Sequence, residues 1–164
     1  MKATPLGPPP APPLPRPAPP VTLSLPAGAV QATQTCLRST SAADREALVL
    51  WAGRATDSHS ATVTHLVAPD CTASRDLLVI PHHERVTVAA YLRAHQLLVF
   101  ADLHTHPGAA FLSLADRARP FSARPGFYAI VVPNFAIGEP LEGWRIYEAV
   151  PGDWEEVHID HRIR

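Results

Sequence analysis

The sequence predicts a single folded domain of mixed α and β structure, α+β or α/β, with a mixed central sheet flanked by two or three helices. Three observations carry this expectation. Apolar runs of strand length alternate with stretches of helical spacing from about residue 21 onward, proline and glycine punctuate most junctions, and no internal repeat is visible. A chain of 164 residues is long enough to build one core without disulfide or metal staples.

Taken in order, residues 1–20 stand apart. Eleven of the 19 prolines fall within residues 5–26, and such a run lacks the amide donors that a helix or central strand needs. It reads as an extended or disordered proline-rich tail, with the domain occupying 21–164. Residues 21–25 alternate as a short strand, and 27–37 form a helix. Residues 46–51 make an apolar run stopped by Gly53, which reads as a buried strand beginning at Glu46. Alternation over 61–67 gives the partner strand of a hairpin, and 77–80 a short strand ended by Pro81. Val88, Tyr91, Leu92 and His95 recur at helical spacing, predicting a helix over 87–96. Residues 98–103 lead as a strand into His104, and 113–119 form a short helix. Strands at 127–132, 144–149 and 154–159 complete the set.

Composition narrows the function. Fourteen basic and fifteen acidic residues leave a formal charge of −1, so no basic field points to nucleic acid. No run approaches the roughly 18 apolar residues that span a bilayer. The first residues lack the apolar stretch of a signal peptide, and Cys36 and Cys71 make no disulfide framework, so a cytoplasmic protein is expected. Both cysteines, and Trp51, Trp144 and Trp154, read as packing residues. His82 and His83 fall between a strand and a helix, near the expected mouth of the site, whereas His59 and His65 fall on the early hairpin.

The chemically informative segment runs from Asp102 to Asp116, DLHTHPGAAFLSLAD. Side chains two apart share one face of a strand, so His104 and His106 project together. Two imidazoles on one face make half of a tetrahedral zinc site, although hydrogen bonding at a strand end accounts for the same pair. Pro107 turns the chain away, Ser113 has the position of a helix N-cap, and Asp116 falls in the first turn behind it. A carboxylate there can supply a third ligand, and three protein ligands leave a fourth position open, as in catalytic zinc sites. Glu46 is the candidate general base, since a carboxylate at the head of an apolar strand needs a partner or a purpose. A solvated carboxylate at a strand start explains it equally well.

Glu46, the run His104-Thr-His106-Pro107 and the pair Ser113-x-x-Asp116 together resemble the JAMM motif of the JAB/MPN zinc metalloproteases. The wording HTHPG, with FLSLADRA after it and VVPNFA further on, is similar to the prokaryotic JAB branch, and the resemblance covers about residues 25–158. It implies a cytidine-deaminase-like MPN fold, zinc held by His104, His106 and Asp116, Glu46 as general acid/base, and Ser113 as support for the oxyanion. It further implies a deubiquitinase-like isopeptidase or peptidase acting on a ubiquitin-like modifier, with E1- and E2-like partners in a bacterial, anti-phage setting. One departure stands out: nine residues separate His106 from Asp116 where the family pattern usually has ten, which shortens the loop 108–112.

Three other readings compete. Amidohydrolase and PHP enzymes share the wording Asp-x-His-x-His, but they are barrels of roughly 250 residues with the pair on an early strand. A zinc-free MPN scaffold is a second reading, although such scaffolds lose ligands that this chain keeps. The third is a hydrolase of the same fold acting on a small amide or amino-acid adduct.

Overall fold

The structure, a computed structural model, describes residues 22–41, 45–75 and 77–164, the side chain of His161 excepted. The proline-rich tail expected over 1–20 and the strand residue expected at Val21 lie outside the described residues. The elements in chain order are β1 (Thr22–Ser24), α1 (Ala29–Thr40), β2 (Leu48–Ala55), β3 (Ser60–Val67), β4 (Thr72–Ala73), β5 (Leu78–Val79), α2 (His82–Ala94), β6 (Leu98–Thr105), α3 (Leu114–Ala118), β7 (Tyr128–Val132), β8 (Arg145–Val150) and β9 (Asp153–Val157). Seven strands form one sheet in the order β1-β3-β2-β6-β7-β8-β9. Two neighbouring pairs, β1–β3 and β6–β7, run parallel, and the others run antiparallel, so the sheet is mixed as expected. Among the described residues, the short β4 and β5 pair only with each other, as a separate ribbon.

Strand alternation sorts the core onto both faces of the sheet. Val49, Trp51, Leu103, Ile130 and Val132 join Leu37 of α1 in one cluster. Leu48 and Leu50 turn the other way and meet Ile80 and Val88, placing α2 on the opposite face. A third cluster, with Ala129, Val131, Tyr147 and Trp154, lies below the late strands. All three tryptophans are buried. Trp51 donates its indole N–H to Thr33 Oγ1 at 2.9 Å, which ties α1 to the central strand without stranding a polar atom.

Four expected boundaries shift, each for a local reason. Glu46 lies ahead of β2 rather than opening it. Its amide donates to the Ser74 carbonyl at 3.0 Å, so it belongs to a connection pinned by the β4–β5 ribbon. Gly53 does not end β2 but lies within it, beside a register shift against β3. A Cβ at Gly53 would fall 1.9 Å from the Thr62 carbonyl oxygen, so the residue is needed for close strand approach. Helix α2 begins at His82, five residues before the expected start, because Pro81 holds an extended N-cap and Glu84 favours the first turn. Its first turn leaves His82 and His83 exposed to solvent. Finally, α1 starts after Gly28, whose φ of 79° gives the left-handed entry to the helix.

Gly53→Ala is expected to destabilise the fold by about 3 kcal/mol or more, the upper range for overpacking. Chemical denaturation checks this: a midpoint unchanged from wild type would show that β2 and β3 can separate locally.

Candidate metal centre

Because β2 and β6 are antiparallel, the entrance to β2 lies beside the exit of β6. Leu48 is paired with His104, and two residues earlier along the chain Glu46 falls level with His106. Thr105 fastens this corner, its amide donating to the Ala47 carbonyl at 3.0 Å and its hydroxyl accepting from the Ala47 amide at 2.9 Å. His104 is also opposite Val131 of β7. The imidazoles therefore stand where three central strands meet, and Glu46, Asp102, His104 and His106 are all buried.

Helix α3 delivers the third donor. Ser113 caps it: its Oγ accepts from the Asp116 amide at 3.2 Å, while Asp116 Oδ2 accepts from the Ser113 amide at 2.8 Å. This reciprocal box fixes the carboxylate rotamer and aims it back over the strand. Asp116 Oδ2 then lies 3.5 Å from His104 Nε2 and 3.4 Å from His106 Nε2. Ligands at about 2.0–2.2 Å from a tetrahedral ion are about 3.3–3.6 Å from one another, so both edges have the required length. The three donor atoms all lie within 4.8 Å of one another, and the group can hold a metal ion. Among the described residues His104 Nε2 is buried with no hydrogen-bond partner, the state expected of a nitrogen that serves as a ligand. The nine-residue spacing between His106 and Asp116 thus still brings the carboxylate to both imidazoles.

Glu46 stands beside this group, its Oε1 3.9 Å from His106 Nε2. The structure therefore gathers all five residues singled out in the sequence, Glu46, His104, His106, Ser113 and Asp116, around one point. His82 and His83 are not among the residues that line the adjoining cleft, which takes Arg85 from the same turn instead. Cys71 is half-buried and free, and burial, aided by Asp70 and Glu84, pushes its thiol up to about 11, so it is no nucleophile near neutral pH.

Two features were not anticipated. Asp102 shares the strand face of His104, and its Oδ1 lies 3.5 Å from His104 Nδ1. A carboxylate on the outer ring nitrogen orients a ligating imidazole and raises its basicity. The signal was the i, i+2 spacing itself, which places Asp102 on the histidine face. The other feature is a turn after β7 in which Asn134, Phe135 and Ala136 have positive φ of 52°, 52° and 62°. Left-handed backbone in non-glycine residues is strained and persists only when its surroundings impose it. Here Gln34 Nε2 donates to the Ala136 carbonyl at 2.9 Å and to the Gly138 carbonyl at 2.8 Å. Arg38 donates from Nε to Ala136 and from Nη2 to Gly138, at 2.6 and 2.8 Å. The turn in its place donates from Phe135 N to the His106 carbonyl at 2.9 Å and from Asn134 N to the Gly108 carbonyl at 3.0 Å. Helix α1 thereby holds the backbone of a metal-site histidine.

The electrostatics suit a cation. Burial alone would lower the His104 pKa, but the carboxylates of Asp102 and Asp116 on either side prevail and push it up to about 10. Burial likewise opposes ionisation of Asp116, yet the two imidazoles and Ser113 hold its carboxyl well below the usual range. The donor set attracts positive charge, and a proton and a metal ion compete for it.

The fold and this donor set define a metal-binding α+β protein. No protein-family model matches the chain. It is 32% identical over 124 residues, 74% of its length, to the probable metalloprotease y4jG of Sinorhizobium fredii, of which the match covers 76%. The chain belongs to that metalloprotease family. Its fold is similar to the solution structure of a protein from Desulfitobacterium hafniense, with a TM-score of 0.67 and 16% identity over 87% of this chain and 92% of that one. A solution structure from Salinibacter ruber has a TM-score of 0.56 and 17% identity over 83% and 89% of the two chains.

Asp102→Asn keeps the shape but removes the charge behind His104, and is expected to weaken metal binding about 10–100-fold in competition with a chelator. Unchanged affinity would remove Asp102 from the site. Because His104 holds its proton up to about pH 10, loading metal at pH 7 should release that proton. Titration calorimetry in buffers of different ionisation enthalpy reads the release as a buffer-dependent heat; identical heats would contradict it.

Proposed function

We propose that this chain is a JAMM-type zinc isopeptidase or peptidase that cleaves a ubiquitin-like modifier from its conjugate or precursor. The observation that carries the reading is the placement of a buried Glu46 carboxylate 3.9 Å from His106, next to but outside the donors His104, His106 and Asp116. Two imidazoles and one carboxylate match zinc in donor type, and a three-residue set leaves a position for water. The kinship to a metalloprotease supports the same chemistry.

When bound, zinc supplies Lewis acidity and lowers the pKa of water at the open position. Glu46 takes the proton from the attacking water at its carboxylate oxygen and passes it to the leaving amine. Burial of Glu46 keeps bulk water from competing for that proton. The Ser113 hydroxyl oxygen accepts from the Asp116 amide, which leaves its own proton to donate to the oxyanion as the carbonyl becomes tetrahedral. One serine thus serves as helix cap and as oxyanion donor, since the two roles use different atoms of the hydroxyl. Asp102 and the left-handed turn hold the two imidazoles in place.

Phe111 supports a macromolecular substrate. It is 55% exposed and meets the His106 ring edge-on at 4.9 Å, and Leu114 beside Ser113 is 85% exposed. Apolar side chains left in solvent at the rim of a metal site suit an extended polypeptide such as the tail of a modifier. In this reading the partners are the modifier and the E1- and E2-like proteins that attach it.

Glu46→Gln is expected to keep stoichiometric zinc and to lower hydrolysis of a modifier–lysine conjugate by about 10²–10⁴-fold, the usual weight of a general base. Full turnover by this variant would overturn the assignment of the base.

A further inference from the structure

A cleft of about 310 Å³ opens beside the metal centre, with His104 and Asp116 in its lining. Much of the wall is apolar, from Leu48, Ile80 and Leu112 among others, but two arginines also line it, Arg85 of α2 and Arg119 at the end of α3. Three other arginines differ from this pair in being neutralised by a carboxylate. Arg117, Arg145 and Arg162 are each paired with a carboxylate, of Asp153, Glu156 and Glu148. Among the described residues, no carboxylate lies within ion-pair distance of Arg85 or Arg119, although Asp102 and Asp116 line the same cleft.

Arg85 is partly built into the wall. It donates to the Phe121 carbonyl at 3.4 Å and the Pro120 carbonyl at 3.5 Å, and its guanidinium carbon lies 5.6 Å from the centre of the Phe121 ring. These contacts fix the plane of the group, yet they are long and engage two of its five N–H donors. A half-buried guanidinium, oriented on a ring and left with spare donors, is arranged to receive an anion. Arg119 sits one turn beyond Asp116, so any group bound between the two arginines is close to the metal-site carboxylate. The cleft volume admits a side chain or a chain terminus rather than a folded domain.

We infer that Arg85 and Arg119 form a carboxylate-binding subsite, so that the chain prefers a polypeptide bearing a carboxylate near the scissile bond. This rests on the peptidase reading above and gives it a substrate class. The carboxylate comes from an acidic side chain or from a free C-terminus, and both present the same planar pair of oxygens to a guanidinium fork.

The test uses the zinc-loaded full chain carrying Glu46→Gln and reads fluorescence anisotropy of three labelled pentapeptides. One has a central Glu and an amidated end, one has Gln in its place, and one is all glycine with a free C-terminal carboxylate. At least one carboxylate peptide is expected to bind tenfold or more tightly than the Gln peptide, and the tighter of the two identifies the source. Arg85→Gln and Arg119→Gln, each added to this background, should each reduce the preference several-fold. Arg119→Gln is a change at an exposed position and keeps the test open should the Arg85 variant fold poorly. Equal binding of all three peptides would overturn the subsite. So would a preference that survives loss of both arginines, since the carboxylate would then be sitting on the metal. The two readings fail separately: a missing preference overturns the subsite, and missing turnover by the wild-type chain overturns the peptidase assignment.

Discussion

The structure is organised around buried charge that needs a cation. Glu46, Asp102 and two imidazoles are withdrawn from water at the meeting point of three central strands, and Asp116 completes the group from α3. Burying ionisable groups is strongly unfavourable unless they are paired or coordinate a metal. His104, flanked by the carboxylates of Asp102 and Asp116, balances them by holding a proton, which is why its pKa is pushed up to about 10 against the pull of burial. A divalent ion at the junction of the three donors meets the same demand in place of that proton. Charge balance and ligation are therefore one constraint.

The fold meets that constraint with few elements. Antiparallel pairing of β2 and β6 puts Glu46 beside His106, and parallel pairing of β6 and β7 backs His104 with Val131. The capping box of α3 uses the oxygen that also faces both imidazoles, so forming the helix and aiming the ligand are the same event. On the other side of the sheet, Gln34 and Arg38 of α1 hold the strained turn at 134–136, and that turn holds the His106 backbone. Helices on both faces thus converge on ligand placement, which is how rigid elements keep a site within tolerance.

Much of this was legible in the sequence. His-x-His on a strand announces itself because the strand period is two, and Ser113-x-x-Asp116 because a helix cap has a fixed offset. Asp102 was legible in principle by the same period, but spacing cannot say whether a same-face carboxylate meets an imidazole or solvent. Glu46 lies just before β2 rather than within it, and His106 is some 60 residues away, so the head-of-strand pattern nominated it while fitting a solvated carboxylate equally well, and only the resemblance implied its role. Gln34 and Arg38 lie about 100 residues from the carbonyls they hold, and no local rule predicts a left-handed run at Asn134, Phe135 and Ala136. Gly53 read as a terminator because glycine usually punctuates, whereas here it lets two strands approach. The early start of α2 was hidden by Pro81, which reads as a strand breaker and also serves as a helix entry.

The central claim, that His104, His106 and Asp116 jointly bind one metal ion, is tested most directly by X-ray absorption at the zinc edge on the reconstituted chain. The account predicts a four-coordinate first shell of nitrogen and oxygen at about 2.0–2.2 Å with outer scattering from two imidazoles. A shell containing sulfur from Cys36 or Cys71, or a six-coordinate oxygen shell without imidazole scattering, would contradict it.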